Sequence, residues 1–336
     1  MTTDEKLAAI LAAVQTDPGN RGLARDPHDN LFTATNGDFQ AACRSLADHA
    51  SPSVELITGF YIVSGVPPGC ETDGPLGVVH LARAFHSLGI PLEITTDTPC
   101  QQPLQVGLQH CRLGRECSWE ELPTGFSDEE MRRRYWPKVW VTTIPGQSHP
   151  WDVFLKLDWA GKLQGHRRTH AIAVERVGPA RDDRCYTMRG RDITDYTCPA
   201  HLLIDYAAEH FPEISTIGIG DGGNEIGMGK IPHETIVKNI PNGDLIHCRV
   251  PTDHLIVAGV SNWGAYALAG GVYVLRGVKP PPDLFDPDRE REILEVMVRE
   301  GPLVDGVTGK QTATVDGLTW DEYVKPLIRI RDILES

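Results

Sequence analysis

The sequence lacks the features that mark several common classes of protein. It has no dense run of lysine and arginine, and its net charge is −14. Nucleic acid and anionic membranes are therefore not expected as its main partners. A small anionic substrate remains compatible with this charge if arginines or a metal ion make the electrostatic potential of the binding site positive. The N-terminus begins with acids and has no basic segment, so no signal peptide is expected. We expect a cytoplasmic protein, and a homo-oligomer is compatible with the sequence.

Motifs for thiol and nucleophile chemistry are also missing. No two of the eight cysteines have C-x-x-C spacing, so neither a zinc ribbon nor a disulfide framework is indicated and reduced thiols are expected. The patterns G-x-S-x-G and H-E-x-x-H do not occur, and the thirteen histidines form no recognisable ligand pair. Any catalysis must therefore rest on other side chains.

Short apolar runs alternate with amphipathic helices along most of the chain. Strands are predicted at 54–62, 91–97, 170–177, 215–221 and 255–260. Helices are predicted at 4–16, 76–88, 287–299 and about 320–334. Nearly continuous apolar strands that are separated by helices are typical of a parallel sheet covered on both faces. We predict a single α/β domain over residues 1–336 with three layers and a mostly parallel sheet.

Two segments depart from this alternation. Residues 106–165 are charged and rich in tryptophan, and we predict that they form an inserted helical lid or cap. Residues 255–275 carry no charge, and their number is sufficient to cross a membrane. However, Ser261, Asn262 and Gly264 fall where a buried strand would turn into a helix, so we favour a strand followed by a helix in a soluble protein.

The segment IGIGDGGNEIGMGK, residues 217–230, admits two interpretations. Its glycines match the dinucleotide fingerprint G-x-G-x-x-G, but no suitable acid follows the next apolar run to hold a ribose. The helix expected after the third glycine is also interrupted by two further glycines and a proline. The acids and the asparagine of the same segment instead offer a group of oxygen ligands, and we favour this second interpretation.

Acidic residues end several of the predicted strands. Asp97, Glu175 and Asp221 each follow an apolar run, and the carboxyl ends of parallel strands share one edge of a sheet. Converging carboxylates repel one another unless cations neutralise them, and Mg²⁺ and Mn²⁺ prefer such oxygen ligands. The sequence therefore predicts a site for Mn²⁺ or Mg²⁺. The candidate ligands are Asp221, Glu225, Glu71, Asp73 and Asp192.

Some of the candidate residues have an alternative, structural interpretation. Glu71 and Asp73 precede a predicted helix, where acids often serve as caps. Asn262 could cap its own helix or offer the helix N-terminus to an anion. Arginines such as Arg176 and Arg189 are more often surface residues than ligands, but acids close by in the sequence favour a role in gripping substrate.

Four motifs occur in a fixed order between about residues 50 and 330. They are ITGF…PPGCETDGPLG, AIAVERVGPARD…YTMRGRDI, GIGDGGNEIGMGKI and LIVAGVSNWGAYAL. Together they resemble the D-glutamate cyclase-like C-terminal domain family. The resemblance implies a lyase that converts D-glutamate to 5-oxo-D-proline and water, a divalent-metal site, and for one branch a manganese-dependent phosphatase. Carried over by motif, the acidic positions are Glu71, Asp73, Glu175, Asp192, Asp221 and Glu225.

Three functions are therefore compared: a cyclase, which the resemblance favours, a manganese-dependent phosphatase, and a nucleotide- or metal-binding protein without turnover. A cyclase needs a metal to polarise the carboxyl under attack, an arginine to hold the other carboxylate, and a carboxylate as general base. The candidate catalytic residues are Glu225, Glu175, Arg176 and Arg189, and the candidate substrate-binding residues are Asn262, Asn224 and Thr72. Several metals would favour the phosphatase, and one metal would favour the cyclase.

Overall fold

The computed structural model of the protein describes residues 1–114, 139–144, 146, 155 and 167–336. All five predicted strands form within these residues, and they belong to one sheet. In chain order the strands are β1 (Val54–Thr58), β2 (Tyr61–Ile62), β3 (Gly69–Cys70), β4 (Leu92–Thr96), β5 (Trp140–Thr143), β6 (His170–Val174), β7 (Ser215–Gly220) and β8 (His254–Val257). Strands β2 and β3 form a separate antiparallel ribbon. The other six make the central sheet, and every pairing in it is parallel.

The order of the central strands, β5-β4-β1-β6-β7-β8, reverses direction at the middle of the sheet. From β1 the chain moves outward through β4 to β5, and then returns to the other side of β1 for β6, β7 and β8. Thr58 pairs with Thr96 on one side and with Val174 on the other, so three strands end level. Ligands of such sheets bind beyond the carboxyl ends at the point of reversal, here between β1 and β6.

Helices cover both faces of the sheet. In chain order they are α1 (Thr3–Val14), α2 (Leu31–Ala34), α3 (Asp38–Ala47), α4 (Pro75–Ser87), α5 (Thr98–His110), α6 (His201–His210), α7 (His233–Asn239), α8 (Gly243–Ile246), α9 (Ser261–Arg276), α10 (Pro287–Glu300), α11 (Trp320–Tyr323) and α12 (Lys325–Glu335). In β6, Ile172 and Val174 belong to one hydrophobic core while Ala171 and Ala173 belong to the other. This alternation is the two-residue period of a strand buried on both sides, and it confirms the predicted three-layer α/β fold.

Local sequence explains where several helices begin. Thr2 accepts a hydrogen bond from the backbone of Glu5, and the Glu5 side chain accepts one from the backbone of Thr2, which is a capping box at the start of α1. Asp286 accepts from the backbone of Arg289 at the start of α10. The predicted final helix is two helices, because Pro326 lies in the first turn of α12 and favours a new helical start there.

The uncharged segment 255–275 forms most of β8 and then most of α9. Helix α9 is almost wholly buried and packs against α1, α3, α4 and α12, so no charge is tolerated on its inner turns. Among the residues that the structure describes, none of the helices combines the length and the apolar character that crossing a bilayer requires.

The predicted lid over residues 106–165 lies mostly outside the described residues. Of this range, residues 106–110 complete α5, and residues 140–143 form the edge strand β5 rather than part of a helix. For the remainder, the lid stays a prediction.

The expectation of reduced thiols was wrong for one pair of cysteines. Cys70 of β3 and Cys100 of α5 form a disulfide, with 5.3 Å between their Cα atoms. The two residues are 30 positions apart and approach each other only when the ribbon packs against α5. Cysteine spacing could not reveal this contact.

Candidate functional site

A cavity of about 310 Å³ opens at the carboxyl ends of β1, β6 and β7. Its walls come from the strand ends and from three loops that approach them from distant parts of the chain. The residues that line it are Arg21, Phe60, Ile62, Val63, Ser64, Glu71, Glu175, Thr187, Met188, Arg189, Arg191, Ile193, Asp221, Asn224, Gly306, Val307 and Asp316. The cavity therefore occupies the crevice that the strand order predicts.

The three strand-end acids do follow strands of one sheet edge, as predicted, but only two of them face the cavity. Glu175 and Asp221 follow β6 and β7 and line the cavity. Asp97 follows β4 and accepts a hydrogen bond from Arg176 over 2.8 Å. Arg176 is fully buried and also donates to the carbonyl of Gly59, so this ion pair braces the strand ends beside the cavity.

Glu225 organises the glycine-rich loop after β7. Its Oε1 accepts from the backbone N–H of Asp221 over 2.9 Å, and its Oε2 accepts from that of Gly223 over 2.7 Å. Gly223 has φ +100°, which favours glycine. The amides that could hold a phosphate are thus occupied by the chain's own carboxylate, and the next helix begins only at His233. The geometry favours the oxygen-ligand interpretation of this segment over the dinucleotide one.

Glu71, directly after β3, brings an unpartnered oxygen to the cavity. The residue is 6% exposed, and its Oε1 has no hydrogen-bond partner within the described part of the chain. Gly306 lies against this carboxyl group, since a Cβ at position 306 would lie 2.2 Å from Oε2 of Glu71 and would require that carboxyl group to move. Burial raises the pKa of Glu71 well above its ordinary value, and Asp73 and Asp316 raise it further. A buried, unsatisfied carboxyl oxygen is costly, and it indicates the place of a ligand.

Asp73 is both a helix cap and a member of the site. Its Oδ2 accepts from the backbone N–H of Ser261 over 2.9 Å, and its Oδ1 accepts from that of Asn262 over 2.8 Å, at the N-terminus of α9. Burial raises the pKa of Asp73 to about 7, and the carboxylate of Asp316 contributes to the increase. Asp73 is therefore a cap, but of α9 and not of the helix that follows it in sequence, and its role as a metal ligand stays a prediction.

Two residues of the site, Arg21 and Asp316, were missed by sequence reasoning. Arg21 comes from the polar loop after α1 and donates from Nη1 to Asp221, while its Nη2 lies 2.9 Å from Asp316. Burial alone would lower the pKa of Arg21, but the two carboxylates raise it well above its ordinary value. Asp305 holds the loop that carries Asp316, since it accepts hydrogen bonds from several groups of that loop. Neither loop has a periodic pattern that could have revealed them.

The acids form two overlapping groups. In the described residues, carboxylate oxygens of Asp73, Asp221 and Asp316 lie within 4.8 Å of one another, and so do those of Glu175, Asp221 and Glu225. Burial raises the pKa of Glu175 and of Asp221 well above the ordinary value, and neighbouring carboxylates add to this effect. We call these residues together with Glu71 the carboxylate cluster: Glu71, Asp73, Glu175, Asp221, Glu225 and Asp316.

Other candidate residues are not brought to the cavity. Asp192 is exposed and pairs with Arg184 over 2.9 Å. The hydroxyl of Thr72 donates to the carbonyl of Thr314 over 2.8 Å. Asn262 is fully buried and accepts from backbone groups at the start of α4, so it joins two helices instead of contacting a ligand.

The outer rim of the cavity is cationic. Residues 186–192 form a hairpin in which the backbone N–H of Thr187 donates to the carbonyl of Arg191 over 2.9 Å. Arg189 and Arg191 of this hairpin are exposed and line the cavity, and neither guanidinium has an ion-pair partner in the described ranges. Asn224 lies deeper, and its side-chain amide donates to the carbonyl of Tyr186 over 2.8 Å. The cavity thus has an acidic floor and a rim with two arginines.

Comparison with known proteins gives two matches. The family described as D-glutamate cyclase-like, C-terminal, matches residues 10–331. Mitochondrial D-glutamate cyclase of Homo sapiens is 32% identical over 276 residues, which is 82% of this chain and 40% of that protein. The chain therefore spans well under half the length of this curated relative. The name of the relative places that protein in the mitochondrion, and the cytoplasmic location of this chain stays a prediction.

Proposed function

The chain belongs to the D-glutamate cyclase-like family, and from this premise we propose that it is a lyase that acts on a small anionic amino acid in the cavity. The proposed reaction converts D-glutamate to 5-oxo-D-proline and water. One observation carries the proposal: the cavity places an acidic floor opposite a rim of arginines, which suits a substrate with both an amino group and carboxylates. Its volume of about 310 Å³ lies at the lower end of the range for small-molecule pockets.

We propose that the carboxylate cluster holds a divalent cation, Mn²⁺ or Mg²⁺. The donors are carboxylate oxygens, which these hard cations prefer, and the unpartnered Oε1 of Glu71 fits a position for a ligand. Asp221 and Glu225 would hold the ion, with Glu71 on the same cavity and Glu175 left free to carry protons. When bound, the ion supplies Lewis-acid polarisation of a substrate carboxyl group.

The proposed reaction needs a residue that moves protons without consuming them. A C–N bond forms between the amino nitrogen and the side-chain carboxyl carbon of the substrate, and one C–O bond of that carboxyl breaks. The ammonium group loses two protons, and both leave with the oxygen as water. Glu175 fits this role because it is buried at the cavity and the hydroxyl of Ser261 donates to its Oε2. Its raised pKa makes it a stronger base than an ordinary carboxylate, which suits a group that accepts a proton from nitrogen and delivers it to oxygen.

Arg189 is the proposed partner of the substrate carboxylate that is not attacked. Of the two arginines predicted from the sequence, Arg176 is committed to Asp97 and to backbone carbonyls, whereas Arg189 faces the cavity. Glu225 is fixed by backbone amides, so in this proposal it is a metal ligand and does not carry protons.

The test is a panel of purified protein with D-glutamate, L-glutamate and a phosphomonoester, each with chelator and with added Mn²⁺. We expect 5-oxoproline from D-glutamate and much less from L-glutamate, because three fixed contacts distinguish enantiomers. Glu175→Gln should abolish turnover in a folded protein, while the exposed Glu213→Gln should leave it unchanged. Phosphate release without 5-oxoproline would support the phosphatase instead, and binding without any product would support a non-catalytic role.

The metal part of the proposal has its own test. Asp221→Asn and Glu225→Gln should each weaken Mn²⁺ binding in calorimetry by at least about 100-fold, because loss of outer-shell partners alone costs 10–100-fold. Equal Mn²⁺ affinity in the wild type and in Asp221→Asn would contradict the assignment of the cation to the carboxylate cluster.

A further inference from the structure

The two carboxylate groups that share Asp221 differ in one respect. The group of Asp73, Asp221 and Asp316 already contains a cation, because the guanidinium of Arg21 donates to Asp221 and lies 2.9 Å from Asp316. In the group of Glu175, Asp221 and Glu225, Arg21 contacts only Asp221, and no cationic side chain pairs with Glu175 or Glu225 among the residues that the structure describes.

The loop after α1 is shaped to hold Arg21 at this position. One carboxylate, that of Asp17, accepts hydrogen bonds from the backbone N–H groups of Arg21, Gly22 and Leu23 over 2.8, 2.8 and 3.1 Å. Gly22 has φ +97°, and a Cβ there would lie 2.2 Å from the carbonyl oxygen of Asn239, so the loop is fixed against the body of the protein. The side chain of Arg21 is 15% exposed and points inward to the carboxylates. Its charge is therefore a fixed part of the site.

The group of Glu175, Asp221 and Glu225 can still accept a ligand. The carboxylate of Glu225 is oriented by two backbone amides, each of its oxygens accepting one hydrogen bond. The 94% buried Glu71 lines the same cavity, and its Oε1 has no partner within the described ranges. This unpartnered oxygen is independent of the acids' mutual proximity, and it points to a cation in the cavity that Glu71 lines together with Glu175 and Asp221.

We propose that Arg21 is a positioning residue that takes the place of a second metal ion, so that the site binds one divalent cation and not a pair. The inference rests on the proposed metal dependence. In two-metal sites the ions lie about 3.5–4 Å apart and clamp both oxygens of a displacement. Asp221 is common to both carboxylate groups, and the guanidinium of Arg21 contacts one of its two oxygens, Oδ2. A single ion favours cyclisation over two-metal phosphoester hydrolysis.

The experiment counts bound Mn²⁺ by calorimetry and elemental analysis in four proteins. Wild type should bind one ion, and Arg21→Gln should bind two, because the substitution vacates the group of Asp73, Asp221 and Asp316. Arg21→Lys, which keeps the charge, and Arg25→Gln, an exposed control in the same loop, should each bind one. Circular dichroism confirms that each variant is folded.

Two results would overturn the inference while leaving the proposed function intact: two ions in wild type, or one ion in folded Arg21→Gln. No bound ion in any protein would refute both the inference and the metal part of the proposed function. The expected ion counts without turnover of D-glutamate would refute only the proposed substrate. If Arg21→Gln does not fold, electron paramagnetic resonance of Mn²⁺-saturated wild type tests the inference instead. The spectrum of an isolated ion is expected, and the spectrum of a spin-coupled pair would overturn the inference.

Discussion

Two groups of buried charged residues in this protein, the carboxylate cluster and the surroundings of Glu290 on α10, are built in opposite ways. Glu290 accepts a hydrogen bond from Arg83 over 3.0 Å and one from the hydroxyl of Tyr266 over 2.9 Å, and His80 lies 3.4 Å away. Each of its oxygens therefore has a partner from the chain itself. The carboxylate cluster has six acids and, in the described structure, one guanidinium among them, that of Arg21.

The pKa shifts follow from this difference. Burial by itself would raise the pKa of Glu290, but His80 and Arg83 outweigh it, and the pKa is lowered. Burial raises the pKa of Glu175 and Glu71, and the neighbouring acids raise it further. A carboxylate that serves stability is supplied with partners by the fold, whereas the cluster is left with uncompensated charge. This difference is the physical reason why we propose a function for the cluster.

The largest change in stability is expected from a substitution of Glu290. Glu290→Gln should lower the free energy of unfolding by about 3–5 kcal/mol, because it removes the buried charged partner of the Arg83 guanidinium and leaves it only the exposed Asp283. The measurement is urea denaturation at neutral pH with chelator present. The control is Glu295→Gln on the same helix, where an exposed pair with Arg291 contributes about 0–1 kcal/mol. Equal losses in the two variants would show that the Glu290 group is not a structural ion pair.

A substitution in the carboxylate cluster is expected to change stability in the opposite direction. Glu71→Gln should raise the stability of the metal-free protein by about 1–3 kcal/mol, because glutamine carries no charge and so avoids the cost of burial and the repulsion from Asp73 and Asp316 that raise the pKa of Glu71. The same variant should bind Mn²⁺ more weakly in calorimetry, since a site that is strained without its ligand gains stability when function is removed. A loss of stability without metal would mean that Glu71 is a structural residue like Glu290.

The last predicted effect is a change of stability with pH that depends on Asp73. Its pKa is about 7 in the folded protein against 3.8 for the ordinary group, so the folded state keeps a proton that the unfolded state has already lost. Its stabilising contribution is complete below the unfolded pKa and is lost as the pH rises to about 7. The stability difference between wild type and Asp73→Asn should therefore move against wild type by up to about 1.4 kcal/mol per pH unit between about pH 5 and 7.

Denaturation of the metal-free proteins at a series of pH values measures this slope. Asp192→Asn is the control, because Asp192 is an exposed acid whose pKa is lowered by its hydrogen bonds to Thr194. It should show no slope in the same window. A slope of the reverse sign at Asp73 would mean that the helix N-terminus and Arg21 dominate over burial.

Much of the sheet and part of the site follow from local sequence. The apolar runs that end in Glu175 and Asp221 predict buried parallel strands, and parallel strands necessarily bring their carboxyl ends to one edge. The segment after β7 likewise identifies Glu225 and Asn224 as oxygen-bearing groups near that edge. These inferences hold because each depends on a pattern within a few residues of the chain.

Local sequence patterns could not reveal which side chains from distant segments form pairs. Asp97 ends an apolar run as Glu175 and Asp221 do, and Asp192 belongs to one of the family motifs, yet Asp97 pairs with Arg176 and Asp192 with Arg184. The disulfide between Cys70 and Cys100 is a further contact of this kind. The partner of a side chain depends on which surfaces pack together in the fold, and local sequence does not show this.

The sequence by itself determined that this chain forms an α/β sheet with acids at its carboxyl edge. Only the tertiary structure decided which acids share a cavity and which cation lies among them. Arg21 is 200 residues from Asp221 along the chain, and Asp316 comes from a loop near the other terminus. The guanidinium of Arg21 nevertheless contacts the carboxyl groups of both acids. Electrostatic interaction depends on distance in space and on burial, so the balance of charge at the site is fixed only when these loops meet over the strand ends.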